Sequence, residues 1–256
     1  MVEVKSITKT FKLSKKQMKK DQVSTKIKEA VRGISFQAKP GQIFGLLGPN
    51  GAGKTTTLRC ISTLIKPTSG QISVMGVDNQ VDSRSARKRI AFLTNELKLD
   101  EHFTATDTVT YFGELHGMTR SEIDQRREEL FTYFNMTDFA GRKISEFSTG
   151  MKQKLSIAVS LIHDPDVVIF DEPTNGLDII TARSVTDYLS KLRDEGKVVI
   201  VSTHIMSVAS KLCDQIGVIL DGQFVANGSL EEILTETNTA SLEDAFFELY
   251  SRQVGE

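Results

Sequence analysis

The stretch Gly48-Pro49-Asn50-Gly51-Ala52-Gly53-Lys54-Thr55 constrains this chain more than any other feature. It follows the apolar run Ile43-Phe44-Gly45-Leu46-Leu47 and leads into Thr56-Thr57-Leu58, a strand-to-helix handover with the GxxxxGK[ST] spacing. Glycines in this loop let consecutive backbone N–H groups converge on one anion, and the helix N-terminus adds its positive end. Residues Gly48 through Thr56 are therefore the expected phosphate-binding segment of a nucleotide site. Lys54 can reach the β and γ phosphates, and the Thr55 hydroxyl can ligate Mg²⁺.

A second signal comes from Val167-Val168-Ile169-Phe170-Asp171-Glu172, an apolar strand that ends in two carboxylates. Alternation along the strand separates their roles. Asp171 is placed to hold Mg²⁺ through water, and Glu172 to take the proton from a water attacking the γ phosphate. An acidic turn after a buried strand would be unremarkable alone; beside the phosphate loop it becomes the other half of a hydrolytic site.

Short β-branched runs alternate with helical-period segments along much of the chain, which predicts an α/β fold with a mostly parallel sheet covered by helices. Strands are expected at Val2 to Ile7, Ile34 to Ala38, Ile43 to Leu47, Ile72 to Val74, Ile90 to Leu93, Val167 to Phe170, Val198 to Ser202, Ile216 to Leu220 and Gln223 to Ala226. The last two face each other across Asp221-Gly222, a two-residue hairpin turn that needs positive φ. The strands flanking Lys39-Pro40-Gly41 also read as antiparallel, so the sheet system is expected to be mixed. Between about Leu97 and Asp164 the strand signal disappears. Helices are expected there at Thr106 to His116, Ser121 to Phe134 and Thr149 to Ile162, with Ser121 and Asp124 marking the second start.

Composition excludes several classes. The chain has 256 residues, enough for one large or two small domains, and 39% hydrophobic against 25% charged residues is ordinary for a globular protein. A formal net charge of -1 supplies no global field for a polyanion, so no nucleic-acid partner is expected. No apolar run approaches the roughly 20 residues of a membrane-spanning helix. The start Met1-Val2-Glu3-Val4-Lys5 lacks a secretory n-region, which predicts a cytoplasmic chain. Cys60 and Cys213, each placed by pattern in an amphipathic helix, read as reduced core thiols. Seven lysines between Lys12 and Glu29 (12, 15, 16, 19, 20, 26 and 28) read as a solvated hairpin tip or loop, with a phosphate- or lipid-facing patch as the alternative.

Taken in order, the landmarks resemble the ATP-binding subunits of ABC transporters over nearly the whole chain. Phe147-Ser148-Thr149-Gly150-Met151 stands where that family carries Leu-Ser-Gly-Gly-Gln, 23 positions before Asp171. Asn175-Gly176-Leu177-Asp178 matches the D-loop. His204, after Val198-Val199-Ile200-Val201-Ser202-Thr203, matches the switch histidine. Alone it would be an ordinary strand-end histidine; in the ordered set its imidazole is suited to sensing the γ phosphate. Phe11 matches the adenine-stacking aromatic, a role that needs only the ring face. The chain departs from the pattern at Thr149, at Met151 and at Asn95, which falls where the family has its Q-loop glutamine beside Mg²⁺.

The resemblance implies a P-loop NTPase core with an antiparallel β subdomain (residues 1–96 and 165–229), a helical signature subdomain (97–164) and a helical tail (230–256). It also implies ATP and Mg²⁺ as cofactors, Lys54, Glu172 and His204 as the catalytic set, and Thr55, Asn95 and Asp171 around the metal. Ser148, Thr149, Gly150 and Met151 would serve the ATP of a second copy in a head-to-tail sandwich dimer, and Asp178 would be the D-loop aspartate. A separate transmembrane permease would be driven from the cytoplasmic face of the cell membrane. The tail Ala240 to Tyr250 resembles ABC-2-type exporter subunits, including drug and sodium-extrusion (Nat-type) systems, which makes sodium the expected cargo. The alternative is a soluble ABC-class ATPase not coupled to transport, although a single phosphate loop argues against the two-cassette translation factors. A guanine-nucleotide switch or small-molecule kinase is more distant, and no Asn-Lys-x-Asp motif supports the switch.

Overall fold

The computed structural model describes residues 1–14, 18, 26–94 and 98–255. In chain order the strands are β1 (Val2–Lys12), β2 (Ile27–Ala38), β3 (Gln42–Leu47), β4 (Ser69–Val74), β5 (Val77–Asp78), β6 (Ile90–Leu93), β7 (Val167–Asp171), β8 (Val198–Thr203), β9 (Gln215–Leu220) and β10 (Gln223–Gly228). The helices are α1 (Lys54–Ile61), α2 (Ser83–Lys88), α3 (Ala105–Leu115), α4 (Arg120–Tyr133), α5 (Thr149–Leu161), α6 (Ile179–Asp194), α7 (Met206–Leu212), α8 (Leu230–Thr237) and α9 (Leu242–Val254).

Two sheets form. One runs β10-β9-β3-β8-β7-β6, parallel throughout except for β10, which pairs antiparallel with β9. The other, β2-β1-β4-β5, is antiparallel. The α/β class and mixed sheet expected from the pattern are therefore present. Strand β8 (VVIVST) is buried at every position, the signature of a central parallel strand covered on both faces. Alternation on β3 joins two cores: Ile43 and Leu47 pack with the helices, while Phe44 and Leu46 pack toward the antiparallel sheet. There Phe36 stacks on Phe44 with ring centroids 4.4 Å apart.

One expected pairing is wrong. The strands flanking Lys39-Pro40-Gly41 do not form a hairpin, because β2 pairs with β1 and both edges of β3 are taken by β8 and β9. The turn instead carries the chain from one sheet to the other, and Gly41 N–H donates to Lys197 O at 3.0 Å. The Asp221-Gly222 hairpin forms as expected, with φ of 45° and 81°.

Between the core strands β6 and β7 the described chain is helical. Thr104 caps α3 in a capping box with Asp107, and Ser148 caps α5. The cap of the second helix lies two residues earlier than expected: Thr119, with Glu122, forms a complete capping box, which outcompetes Ser121 and Asp124. After β10, α9 buries Leu242, Ala245, Phe246 and Leu249, an i, i+3, i+4, i+7 stripe. Cys60 lies within α1, but Cys213 follows α7 in extended conformation rather than inside a helix. Both are free, and burial pushes their thiols up to about 11 and about 12.

Candidate nucleotide site

The phosphate loop is held by backbone approaches that exclude side chains. A Cβ on Gly48 would lie 2.3 Å from Ile219 O, and one on Gly53, at φ 108°, would lie 2.4 Å from Ala30 O. The β9–β10 hairpin tip pins the loop: Gly222 N–H donates to Ala52 O at 2.9 Å, and Gly222 O accepts from Arg32 N–H at 2.7 Å. Gly53 is also the N-cap of α1, so no side chain caps its first turn. Those amides, in the span of Lys54, Thr55 and Thr56, are left for an anion.

Lys54 is buried, 4% exposed, and its Nζ donates to Gly48 O at 2.7 Å and Pro49 O at 3.1 Å. Glu172 Oε1 stands 3.5 Å away. Burial lowers the ammonium's proton affinity below the ordinary lysine value, opposed by the charges of Glu172 and Asp171. An incoming phosphate would take over the role now filled by two carbonyls and a carboxylate.

Across the sheet, β7 and β8 align Asp171 with Ser202. The Ser202 hydroxyl donates to Asp171 Oδ1 and accepts from Glu172 N–H at 3.0 Å. Glu172 N–H also reaches Ser202 O at 3.2 Å. Glu172 itself sits at φ 52°, a costly backbone conformation for this residue type that Ser202 holds in place. Its carboxylate is shared: Oε1 meets His204 Nδ1 at 3.1 Å and Oε2 accepts from Asn175 Nδ2 at 3.2 Å. A lysine at the start of α1, a carboxylate after β7 and a histidine after β8 thus form one cluster.

A cleft of about 400 Å³ opens over this cluster, lined by Phe11, Lys12, Leu13, Lys28, Ala30, Asn50, Gly51, Gly53, Lys54, Thr55, Thr56 and Glu172. The structure therefore brings Phe11 together with the phosphate loop, although the two are far apart in sequence. Leu13 and Ala30 were not foreseen as lining residues, whereas Lys12 and Lys28 belong to the lysine-rich segment whose alternative reading was a phosphate- or lipid-facing patch. Ser202 was not foreseen as a partner of the two carboxylates, a role that follows from strand register, and Asn175 reaches Glu172 through the turn that follows β7.

Ser148, Thr149, Gly150 and Met151 do not line the cleft. Ser148 Oγ accepts from Met151 N–H at 3.2 Å and so caps its own helix. Behind it, a Cβ on Gly150 would lie 3.1 Å from Thr181 Oγ1 and 3.7 Å from Asp178 Oδ2. Asp178 caps α6 by accepting from Ile180 and Thr181 N–H, and these hydrogen bonds, led by those from Thr181, hold its carboxyl below the usual range. Asn95 lies outside the described residues, as do Lys15, Lys16, Lys19 and Lys20 of the lysine-rich segment.

Residues 31–175 match the ABC transporter family. The chain is 40% identical over 222 residues to the ABC transporter ATP-binding protein NatA of Bacillus subtilis, covering 86% of this chain and 90% of that protein. It is 37% identical to the linearmycin resistance ATP-binding protein LnrL of the same organism, over 80% of this chain and 66% of the relative. The Nod factor export ATP-binding protein I of Burkholderia lata is 38% identical over 79% of this chain and 66% of its own length. Among solved structures, an ATP-binding subunit of an ABC transporter superposes with a TM-score of 0.85 at 26% identity, covering 98% of this chain and 99% of that one. A dimeric ATP-binding cassette in a post-hydrolysis state with ADP and Pi superposes with a TM-score of 0.78 at 28% identity, covering 90% and 99%. With the phosphate loop, the strand-end carboxylates and these likenesses in place, the chain belongs to the ATP-binding subunits of ABC transporters and is an ATPase.

Proposed function

We propose that the chain hydrolyses ATP as one half of a head-to-tail dimer and drives export through a separate permease at the cytoplasmic face of the membrane. The observation that carries this is the Lys54–Glu172–His204 cluster under an uncapped helix N-terminus. Lys54 exchanges its bonds to Gly48 O and Pro49 O for phosphate oxygens. Glu172, fixed between His204 and Asn175, accepts the proton of the attacking water, and His204 senses the γ phosphate. Phosphate then leaves ADP with the water's oxygen attached.

The Thr55 hydroxyl and the Asp171 carboxylate form a hard-oxygen donor set that suits Mg²⁺, which binds through one or two carboxylates plus substrate phosphates rather than a full protein cage. When bound, the ion neutralises charge on the phosphates.

The Gly150 backbone lies beside Asp178, and both Ser148 and Gly150 stand outside the cleft of their own chain, which supports their serving a second copy. Ile179 and Ile180, 89% and 80% exposed at the start of α6, mark that same face as one awaiting a partner. No described helix is long and apolar enough to cross a membrane, in keeping with a separate permease. Relatives named for drug resistance and Nod factor export support the outward direction. Sodium is the cargo we assign, from the resemblance of Ala240 to Tyr250 to Nat-type subunits.

Glu172→Gln keeps size and hydrogen bonding but deletes the base, so turnover should fall on the order of 10² or more while ATP still binds. Trapped ATP should then hold a dimer in size-exclusion chromatography. Near-normal hydrolysis would contradict the base assignment, and a strictly monomeric ATP-bound variant would count against the sandwich.

A further inference from the structure

The helical stretch that carries the signature residues returns to the core through one short link, Ile162 to Asp166, between α5 and β7. That link leads from Ser148 and Gly150 at the front of α5 to Asp171 and Glu172 at the end of β7. Asp164 at its centre sits at φ 50°, in the left-handed region where a Cβ crowds the following carbonyl. Such a position persists where its surroundings hold it. Here Asp164 Oδ1 accepts from Arg126 Nη2 of α4 at 3.2 Å and from Lys197 Nζ, in the turn between α6 and β8, at 2.9 Å. Both cations are largely buried, 19% and 18% exposed, which confines them to this geometry. Arg126 belongs to the helical stretch and Lys197 to the core, so one carboxylate oxygen ties the two. Beside it, His163 stacks on His116 at the end of α3.

Helix α5 is a lever on this joint. Its buried residues, Leu155 to Val159 and Leu161, lie in the half next to the link, whereas Thr149 to Lys154 are exposed or half-buried. The front half is tied to the same helical stretch, Lys152 to Glu101 at 2.5 Å and Lys154 to Phe134 O at 3.1 Å, and meets the core where Gly150 faces Thr181 and Asp178. Its 13 residues, at about 1.5 Å each, span about 20 Å, so a turn of roughly 3° at the joint moves the far end by about 1 Å. A misplacement of that size in a positioned reaction costs up to about 10²-fold.

We propose that Asp164 is a positioning residue for the signature half of the composite site: by joining Arg126 to Lys197 it sets the direction in which α5 leaves the core, and so where Ser148 and Gly150 meet the second copy's ATP. The inference rests on the head-to-tail reading. Asp164 does not line the nucleotide cleft, so ATP binding there should not depend on it.

Steady-state turnover and ATP titration of the full chain test this, with circular dichroism as the folding control. Asp164→Gly accepts φ 50° without strain and removes the carboxylate, whereas Asp164→Asn tolerates the same backbone and keeps an acceptor. Turnover should fall about tenfold for Asp164→Gly, with an ATP dissociation constant within about twofold of wild type, and Asp164→Asn should restore most of the loss. Lys197→Met cuts the core side of the joint and should cost about threefold; it carries the test if Asp164→Gly does not fold. Mixing Asp164→Gly with Lys54→Ala gives mixed dimers in which one site joins an undamaged cleft to an undamaged signature. Turnover should then rise to about a quarter of wild type, above the roughly one tenth of Asp164→Gly alone. Wild-type turnover in the variants, an ATP affinity that falls in step with turnover, or a mixture no better than Asp164→Gly alone overturns the proposal. Lys54→Ala mixed with Ser148→Arg is the control. If that pair recovers and the Asp164→Gly pair does not, the joint is refuted and the head-to-tail dimer stands; if neither recovers, the head-to-tail reading falls and the proposal with it.

Discussion

The phosphate-loop face and the signature face of this chain are built to different degrees of completeness. At the first, Lys54 at the start of α1, Asp171 and Glu172 at the end of β7, and Ser202 and His204 at the end of β8 hold one another through a continuous set of contacts. At the second, the Ser148 hydroxyl is spent on capping α5, Gly150 rests against the α6 cap, and Ile179 and Ile180 stand in solvent. The contrast supports the proposal that one chain carries a preorganised chemical half-site and a separate recognition half-site, each completed by the other copy of a head-to-tail dimer. Electrostatic preorganisation is costly to create at the moment of reaction, so it is made within the fold. Recognition can wait for the partner.

Lys54→Ala should break the first face most severely. Removing a charge-assisted contact worth roughly 1.5 to 3 kcal/mol predicts a 10- to 100-fold loss of ATP affinity, with the fold preserved. Nucleotide titration beside circular dichroism measures it, and an unchanged affinity would remove Lys54 from the site.

On the signature side the next largest effect lies at the far end of α5. His163 follows that helix, stacked on His116 with ring centroids 3.8 Å apart. Burial, then the neighbouring His116, lowers its pKa to about 4, against smaller upward pulls from the Ile90 backbone and Asp164, with Arg126 adding the least to the lowering. The unfolded chain therefore takes up a proton near pH 6.5 that the folded chain refuses until about pH 4. Stability is fully present above pH 6.5, falls as the pH drops through that window by at most about 3 kcal/mol, and levels off below it. His163→Phe keeps a stacking ring without the titration. Urea midpoints at neutral and mildly acid pH should differ less in the variant than in the wild type; equal acid sensitivity would refute the assignment.

Ser202→Ala sharpens the comparison more gently. It removes the hydroxyl that bridges Asp171 and the Glu172 N–H, so Glu172 relaxes from its positive-φ position. Turnover should drop about tenfold with little change in ATP affinity, because positioning is lost and binding is not. A parallel rise in the dissociation constant would instead show Ser202 acting through the phosphate loop.

The parallel core was legible because β-branched runs such as Val167 to Phe170 and Val198 to Ser202 must be buried on both faces. The Asp221-Gly222 turn was legible because two consecutive positive-φ positions leave few residue choices. The partner of β2 was not legible, since nothing local in Lys39-Pro40-Gly41 tells a hairpin from a crossing between sheets. At the site, Lys54 and Glu172 lie in dense local patterns. Ser202 and Asn175 matter through cross-strand register or a turn-back contact, information that resides in pairing rather than in spacing.

Complementation between two crippled chains tests the division of labour most directly. Lys54→Ala damages the chemical half-site, and Ser148→Arg places a bulky cation on the recognition half-site. Each variant alone should be nearly inactive, since in a head-to-tail dimer every composite site then carries one damaged half. Mixing the two purified proteins should restore turnover to roughly a quarter of the wild-type rate, because half of the dimers are mixed and each mixed dimer keeps one intact site of two. A mixture no more active than the separate variants would contradict the account and place the whole active site within a single chain.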